Sequence, residues 1–287
     1  MARIPGDRDS RDGYLTVNGV SHFFRTIGRG EPFVVLHGGP GMWHDELLPF
    51  FDDLAIDHQV VFYDQRGNGR SLMSEITMEN FTVDWLVSDL DELRNAWGFD
   101  RISVLGHSWG GLLGMYYASR HPDRMERLVL VDAAPINTDM LIRSYRELIG
   151  RFPDGDWERL EAMYESEAYL DGDPACLNEA MRLSEGPTFH VSTAREQYFD
   201  LVSFDAVTAR NMVEISKPAP AANIHVLPSQ PMDNPLDELL SDLEETAPDE
   251  LLLAQVWVVA QDPRFWRGTL AAGWRRRGWQ LLVAGDA

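Results

Sequence analysis

The clearest chemical signal in the chain is the run Gly106-His107-Ser108-Trp109-Gly110. It follows a short apolar segment, 102–105, and precedes a helical one, 109–119. A serine at such a strand–turn–helix junction has the setting of a nucleophile elbow, with its hydroxyl raised on a sharp turn. Glycines at 106 and 110 suit that turn, because side chains there would collide across it. The helix that follows directs free N–H groups and the positive end of its dipole toward an oxyanion forming on a bound carbonyl. The chemistry these residues could perform is acyl transfer through Ser108.

A second cluster, His37-Gly38-Gly39-Pro40-Gly41, follows the apolar segment 33–36. Glycines let backbone N–H groups approach a substrate oxygen closely. An oxyanion hole needs one donor from such a loop and one from the residue after the nucleophile, here Trp109. A third run, Tyr63-Asp64-Gln65-Arg66-Gly67-Asn68-Gly69-Arg70-Ser71, ends the segment 60–63. Its charges are suited to tying loops together, and a structural role is expected for it.

A serine on this kind of turn needs an acid and then a histidine, in that chain order. The histidine takes the serine's proton and the acid fixes its tautomer. The eight histidines are His22, His37, His44, His58, His107, His121, His190 and His225. Asp262, just past the segment 251–260, is the first acid candidate. Asp132, after the segment 128–131, is the second, with a loop-capping carboxylate as its plainer role. No histidine follows residue 225, so the base is missing from its expected place. Three readings account for this. The sequence stops at a last strand near 280–283; or 224–228 is that strand, with the histidine position near Gln230; or the tail is a shifted frame or unrelated sequence. His225 substitutes only if the chain folds it toward Ser108. Without a base, turnover is expected to be very low.

In order and spacing, the motifs HGGPG, YDQRGNGRS and GHSWGG resemble those of the proline iminopeptidase-like α/β-hydrolases, serine peptidase family S33. The resemblance is strong over residues 13–135 and weaker beyond. It implies an α/β-hydrolase core with a helical cap and removal of an N-terminal residue, often proline, from short peptides. It implies Ser108 as nucleophile, the N–H groups of Gly39 and Trp109 as the oxyanion hole, and cap glutamates that hold the free α-amino group. Two other readings stay open: a small-molecule esterase or amidase of the same fold, and a catalytically impaired relative lacking the triad histidine. A dehalogenase or epoxide hydrolase is disfavoured, because the elbow carries serine and not aspartate.

These loops need a scaffold. Residues 13–17 and 22–27 alternate around Asn18-Gly19, the signature of a two-residue hairpin. The apolar segments 33–36, 60–63, 102–105 and 128–131 read as buried strands. Helical spacing marks 44–54, 83–97 and 109–119. Short apolar strands alternating with helices predict a mostly parallel sheet covered on both faces, with the hairpin as an antiparallel edge. Residues 134–235 turn helical, acidic and aromatic, and strands resume at 251–260 and 280–283. The expected organisation is a core over 1–133, an inserted helical cap over 134–235, and an atypical C-terminal part of the core over 236–287.

Composition narrows the setting. The chain has 287 residues, 44% of them hydrophobic, which excludes a disordered protein. Its net charge of −21 argues against nucleic acid or anionic membrane as partner. The expected partner is a short peptide or a small amide or ester. No signal peptide or apolar run of about 18 residues is visible, so a cytoplasmic location is expected. The lone Cys176 excludes an internal disulfide, and no metal or cofactor motif is present.

Overall fold

The computed structural model describes residues 10–48, 51–77, 79–134, 149–188, 195–196, 198–199, 202–216, 255–259 and 282–283. Its spine is one eight-stranded sheet in the order β1-β2-β4-β3-β5-β6-β7-β8. The strands are β1 Ser10–Val17, β2 Val20–Ile27, β3 Glu31–Leu36, β4 His58–Tyr63, β5 Ile102–His107, β6 Met125–Val131, β7 Gln255–Val259 and β8 Leu282–Val283. The first two form the expected hairpin, with Asn18 and Gly19 at φ 46° and 77°, as a tight primed turn requires. β2 pairs antiparallel with β4, and from β4 onward all pairings are parallel.

Two helices cover one face. Helix α1, Val83–Ala96, is capped by the Thr82 side chain, which accepts from the Trp85 N–H. It buries Leu86, Leu90 and Leu93 against the sheet together with α2, Trp109–Arg120. The opposite face packs Phe33, Val35, Val60, Phe62 and Leu105 beneath Leu47 and Ala55. The segment 44–54 differs from its expected single helix. It forms a 3-10 turn at His44–Leu47, and a second such turn spans Asp52–Ile56. The first turn stops at Leu48, which is extended at φ −95°, ψ 140°, while its first residue is tethered: the His44 N–H and Nδ1 both bond to Asp64 Oδ1, at 3.0 and 2.6 Å.

The register places the functional loops. β3 and β5 are parallel neighbours with Leu36 opposite Gly106. The chain therefore leaves both strands at the same level of the sheet's carboxyl edge, where open α/β sheets build their sites. Above this edge lie helices α3 Asp156–Tyr164, α4 Glu167–Leu170, α5 Pro174–Glu185 and α6 Ala206–Ser216. They have an apolar core of their own, including Leu160, Leu177, Phe199, Val202 and Ala209, which Trp43 joins from below. The helical cap is thus seated on the oxyanion-loop side, with Trp43 edge-on to Phe204 at 5.4 Å. Among the described residues, no helix is long and apolar enough to cross a membrane.

Candidate active site

Ser108 stands between β5 and α2 at φ 50°, ψ −118°, a conformation that costs a non-glycine residue of order 1–3 kcal/mol. The surrounding structure enforces it. Ser108 N–H donates to Val131 O at 3.1 Å, and Ser108 O accepts from Ala134 N–H at 2.8 Å. The flanking glycines are sterically obligatory. A Cβ on Gly106 would lie 2.3 Å from Gly110 O, and one on Gly110 would lie 2.3 Å from Leu36 O.

The glycine loop meets this turn directly. A methyl group on Gly38 would come within 3.4 Å of Ser108 Cβ and 3.2 Å of His107 Nδ1. Its orientation follows from a set of buried bonds. Gln65 N–H donates to His37 Nε2 at 3.0 Å, so the imidazole proton is on Nδ1, which donates to Gly38 O at 2.7 Å. In a trans peptide the C=O and the following N–H point in opposite directions. Turning Gly38 O toward His37 therefore turns the Gly39 N–H away from it. Burial holds His37 below the usual imidazole range, in keeping with this neutral state. Gln65 also donates through Nε2 to His37 O and accepts at Oε1 from Trp109 Nε1, both at 2.9 Å. The third motif thus locks the glycine loop to the elbow. Gly41 N–H is taken by Asn68 Oδ1 at 2.6 Å, whereas Gly39 and Trp109 N–H have no acceptor among the described residues.

Ser108, Gly38 and Gly39 form part of the lining of a cavity of about 650 Å³ roofed by the cap. Such a volume suits a small molecule or short peptide. Much of the wall is aromatic or thioether, including Phe152, Trp157, Tyr169 and Met212, and three carboxylates line it: Glu46, Glu161 and Glu185. Glu46 is 6% exposed, and its Oε1 accepts from Gly38 N–H and faces His107 Nδ1 at 3.3 Å. Burial alone would raise its carboxyl, but the His107 bond and charge outweigh this and hold it below the usual range. Burial alone would lower His107, and the Glu46 bond raises it instead. Glu185, at the end of α5, is exposed within the cavity but surrounded by protein atoms; the desolvation they cause, then the nearby Glu46 charge, push it up to about 7.

The motifs singled out Ser108, Trp109 and the glycine loop, the family resemblance implied Gly39 within that loop, and the structure places these residues side by side. The motifs contained Gln65, expected to tie loops together, and His107, without a task; Glu46 and Glu185 lie in segments that carried no local signal. Asp132 ends β6 at φ 44°, exposed and outside the cavity lining. Asp262, His190 and His225 lie outside the described residues. Among the described residues, no histidine bonds to the Ser108 hydroxyl. His37 and His44 are held in buried bonds of their own, and His107 faces Glu46.

A family model described as the alpha/beta hydrolase fold matches residues 31–162. The chain is 35% identical over 159 residues to a proline iminopeptidase of Saccharolobus solfataricus, covering 54% of this chain and 50% of that protein. It is 40% identical over 131 residues to a proline iminopeptidase of Xylella fastidiosa, covering 45% and 41%. The chain thus spans about half the length of these curated relatives. In three dimensions it resembles a variant of an epoxide hydrolase from Bacillus megaterium, with a TM-score of 0.60 and 19% identity, over 96% of this chain and 92% of that one. At that identity the likeness shows the fold. The chain is an α/β hydrolase by fold, similar over its matched segment to the proline iminopeptidases.

Proposed function

We propose that the chain is a serine hydrolase of the proline iminopeptidase type, releasing an N-terminal residue from short peptides. The observation that carries this reading is the strained Ser108, packed against the Gly38–Gly39 loop beneath a carboxylate-bearing cavity. Ser108 Oγ attacks the carbonyl of the substrate's first residue as its proton passes to a base. The oxyanion lies on the N–H groups of Gly39 and Trp109. The leaving amine takes a proton, and water then releases the acyl group from Ser108. Asp262 is the acid of this reading and Asp132 the alternative. Glu185 and Glu161 are the carboxylates we assign to the free α-amino group.

Glu161 and Glu185 are exposed within the cavity, so solvent screens their attraction for an ammonium, and a charged hydrogen bond of this kind contributes about 1.5–3 kcal/mol. Blocking the substrate amine by acetylation is therefore expected to lower kcat/KM by about ten- to a hundredfold. Parallel assays of a free and an N-acetylated prolyl arylamide measure this. Equal cleavage of both, or of simple esters, would point to the esterase reading instead.

The pH dependence has a definite sign. Glu185, pushed up to about 7, is largely protonated below that pH and attracts an ammonium poorly. The substrate's α-amino group loses its own charge near 7.7–8.0. Affinity for a free-amine substrate is expected to rise through about pH 7 and decline above about pH 8. Glu185→Gln is expected to abolish the acid limb of a 1/KM profile. An unchanged profile would remove Glu185 from this role.

A further inference from the structure

The acyl-transfer scheme gives no task to Glu46, although its carboxylate is buried at the floor of the cavity. One oxygen, Oε1, accepts from the Gly38 N–H and bonds to His107 Nδ1 at 3.3 Å. Gly38 precedes Gly39, and His107 precedes Ser108. We propose that Glu46 is a positioning residue: its carboxylate clamps the loop carrying the oxyanion donor to the turn carrying the serine. The inference rests on the serine-hydrolase reading.

The clamp acts at a defined place. Gly38 O is held by His37 Nδ1–H, which fixes the peptide plane that presents the Gly39 N–H. Glu46 fixes the preceding plane through the Gly38 N–H. Two successive peptide groups are thereby held by side chains, His37 and Glu46, and the loop cannot rotate Gly39 away without breaking one of these bonds. Glycines at 38, 39 and 41 give the loop no side-chain anchor of its own, so an outside acceptor has to supply one.

Glu46 is itself anchored. It belongs to the His44–Leu47 turn, which Asp64 holds through the His44 N–H and Nδ1. Asp64 also accepts from Arg70 N–H at 2.8 Å, so the clamp is rooted in the buried loop after β4. Glu46 remains ionised beneath the cavity, because the His107 bond and charge favour that form against burial. An ionised carboxylate makes the stronger bond to a backbone N–H.

The test uses the full chain with three measurements: fluorophosphonate labelling of Ser108, the kcat and KM of a free-amine prolyl arylamide, and competitive inhibition by prolinamide. The phosphonyl oxygen uses the same hole as the oxyanion, whereas prolinamide binding reports the amine pocket. Losing an oxyanion donor outright costs about a hundred- to a thousandfold in kcat. Loosening its support is expected to cost about ten- to a hundredfold. Read at pH 8, where Glu185 is ionised with or without the Glu46 charge, Glu46→Ala should therefore slow labelling and lower kcat by that factor, with KM and prolinamide affinity within about twofold. Glu46→Gln keeps an acceptor oxygen and should restore most of both rates. Should the alanine variant not fold, Glu46→Met takes its place, filling the space without an acceptor. Wild-type labelling with equal labelling of the alanine or methionine variant overturns the proposal alone. So does a parallel loss of kcat and prolinamide affinity that Gln does not rescue. Absence of labelling in the wild type overturns both the proposal and the hydrolase reading.

Discussion

Ser108→Ala is expected to abolish fluorophosphonate labelling and to lower hydrolysis of a free-amine prolyl substrate by at least about a thousandfold. The reason is geometric and chemical together. Ser108 carries the hydroxyl at the carboxyl edge of the sheet, in contact with the oxyanion loop. Without it the oxyanion hole and cavity remain, and they can support only a residual rate. The same site predicts a stability signature. Ser108 sits at φ 50°, so Ser108→Gly relieves strain that alanine retains. Glycine is expected to stabilise the fold by about 1 kcal/mol relative to alanine, after its larger unfolded-state entropy is subtracted. Hydrolysis assays and urea titrations of both variants check the two effects. Retained activity in Ser108→Ala would sink the serine reading. The same assay on His225→Ala tests whether that residue supplies the base, since losing a triad histidine costs about as much as losing the serine.

Asp89→Ala is expected to destabilise the protein by about 3–5 kcal/mol, because it leaves a buried guanidinium unpaired. Arg66 is 2% exposed and reaches Asp89 with two bonds, Nε to Oδ2 at 2.5 Å and Nη2 to Oδ1 at 2.7 Å. Its remaining contacts are Nη1 on Asn80 O at 2.6 Å and the face of Trp85 at 4.8 Å. Asp89 also accepts from Asn18 Nδ2 at 2.9 Å and faces His22 Nε2 at 3.4 Å. The hairpin, helix α1 and the loop after β4 are joined through this one carboxylate. Burial alone would raise Asp89, but the His22 and Arg66 bonds hold it below the usual range. A depressed carboxyl pKa contributes stability that is present above the unfolded value, near 3.9, and lost as pH falls through the folded value. The wild type should therefore lose this contribution below about pH 4, and Asp89→Asn should show a flatter acid limb. Urea midpoints between pH 3 and 7 measure both effects. A change under about 1 kcal/mol at pH 7 would show that Arg66 finds other partners.

Sequence was a sufficient guide wherever neighbours in the chain constrain one another. Gly106 announced the elbow, because the turn itself leaves no room for a Cβ there, whereas Gly110 is required by the neighbouring strand, whose Leu36 O a Cβ would meet. Asn18-Gly19 announced the hairpin, because both residues must adopt positive φ. The apolar spacing of Leu86, Leu90 and Leu93 announced α1, because a helix brings such residues to one buried face. Sequence also separated the glycine loop from the charged loop, and the buried bonds of Gln65, Arg66 and Asn68 agree with a structural task for the latter. The segment 44–54 shows where local spacing stops deciding. Its apolar pattern fits a helix, but the backbone turns extended at Leu48 and the first turn ends at Leu47.

The sequence by itself determined the strands, the elbow and the glycine loop, since these depend on contacts within a few residues. Only the tertiary structure decided what surrounds Ser108. The parallel pairing of β3 with β5 brings Gly38 to the serine across about seventy residues of chain, and the packing of α5 among the cap helices brings Glu185 to the same cavity. Glu46, His107 and Gln65 acquire their partners only when those strands pair. Charge, burial and hydrogen bonding at such residues depend on distances in space, and a linear pattern does not carry that information.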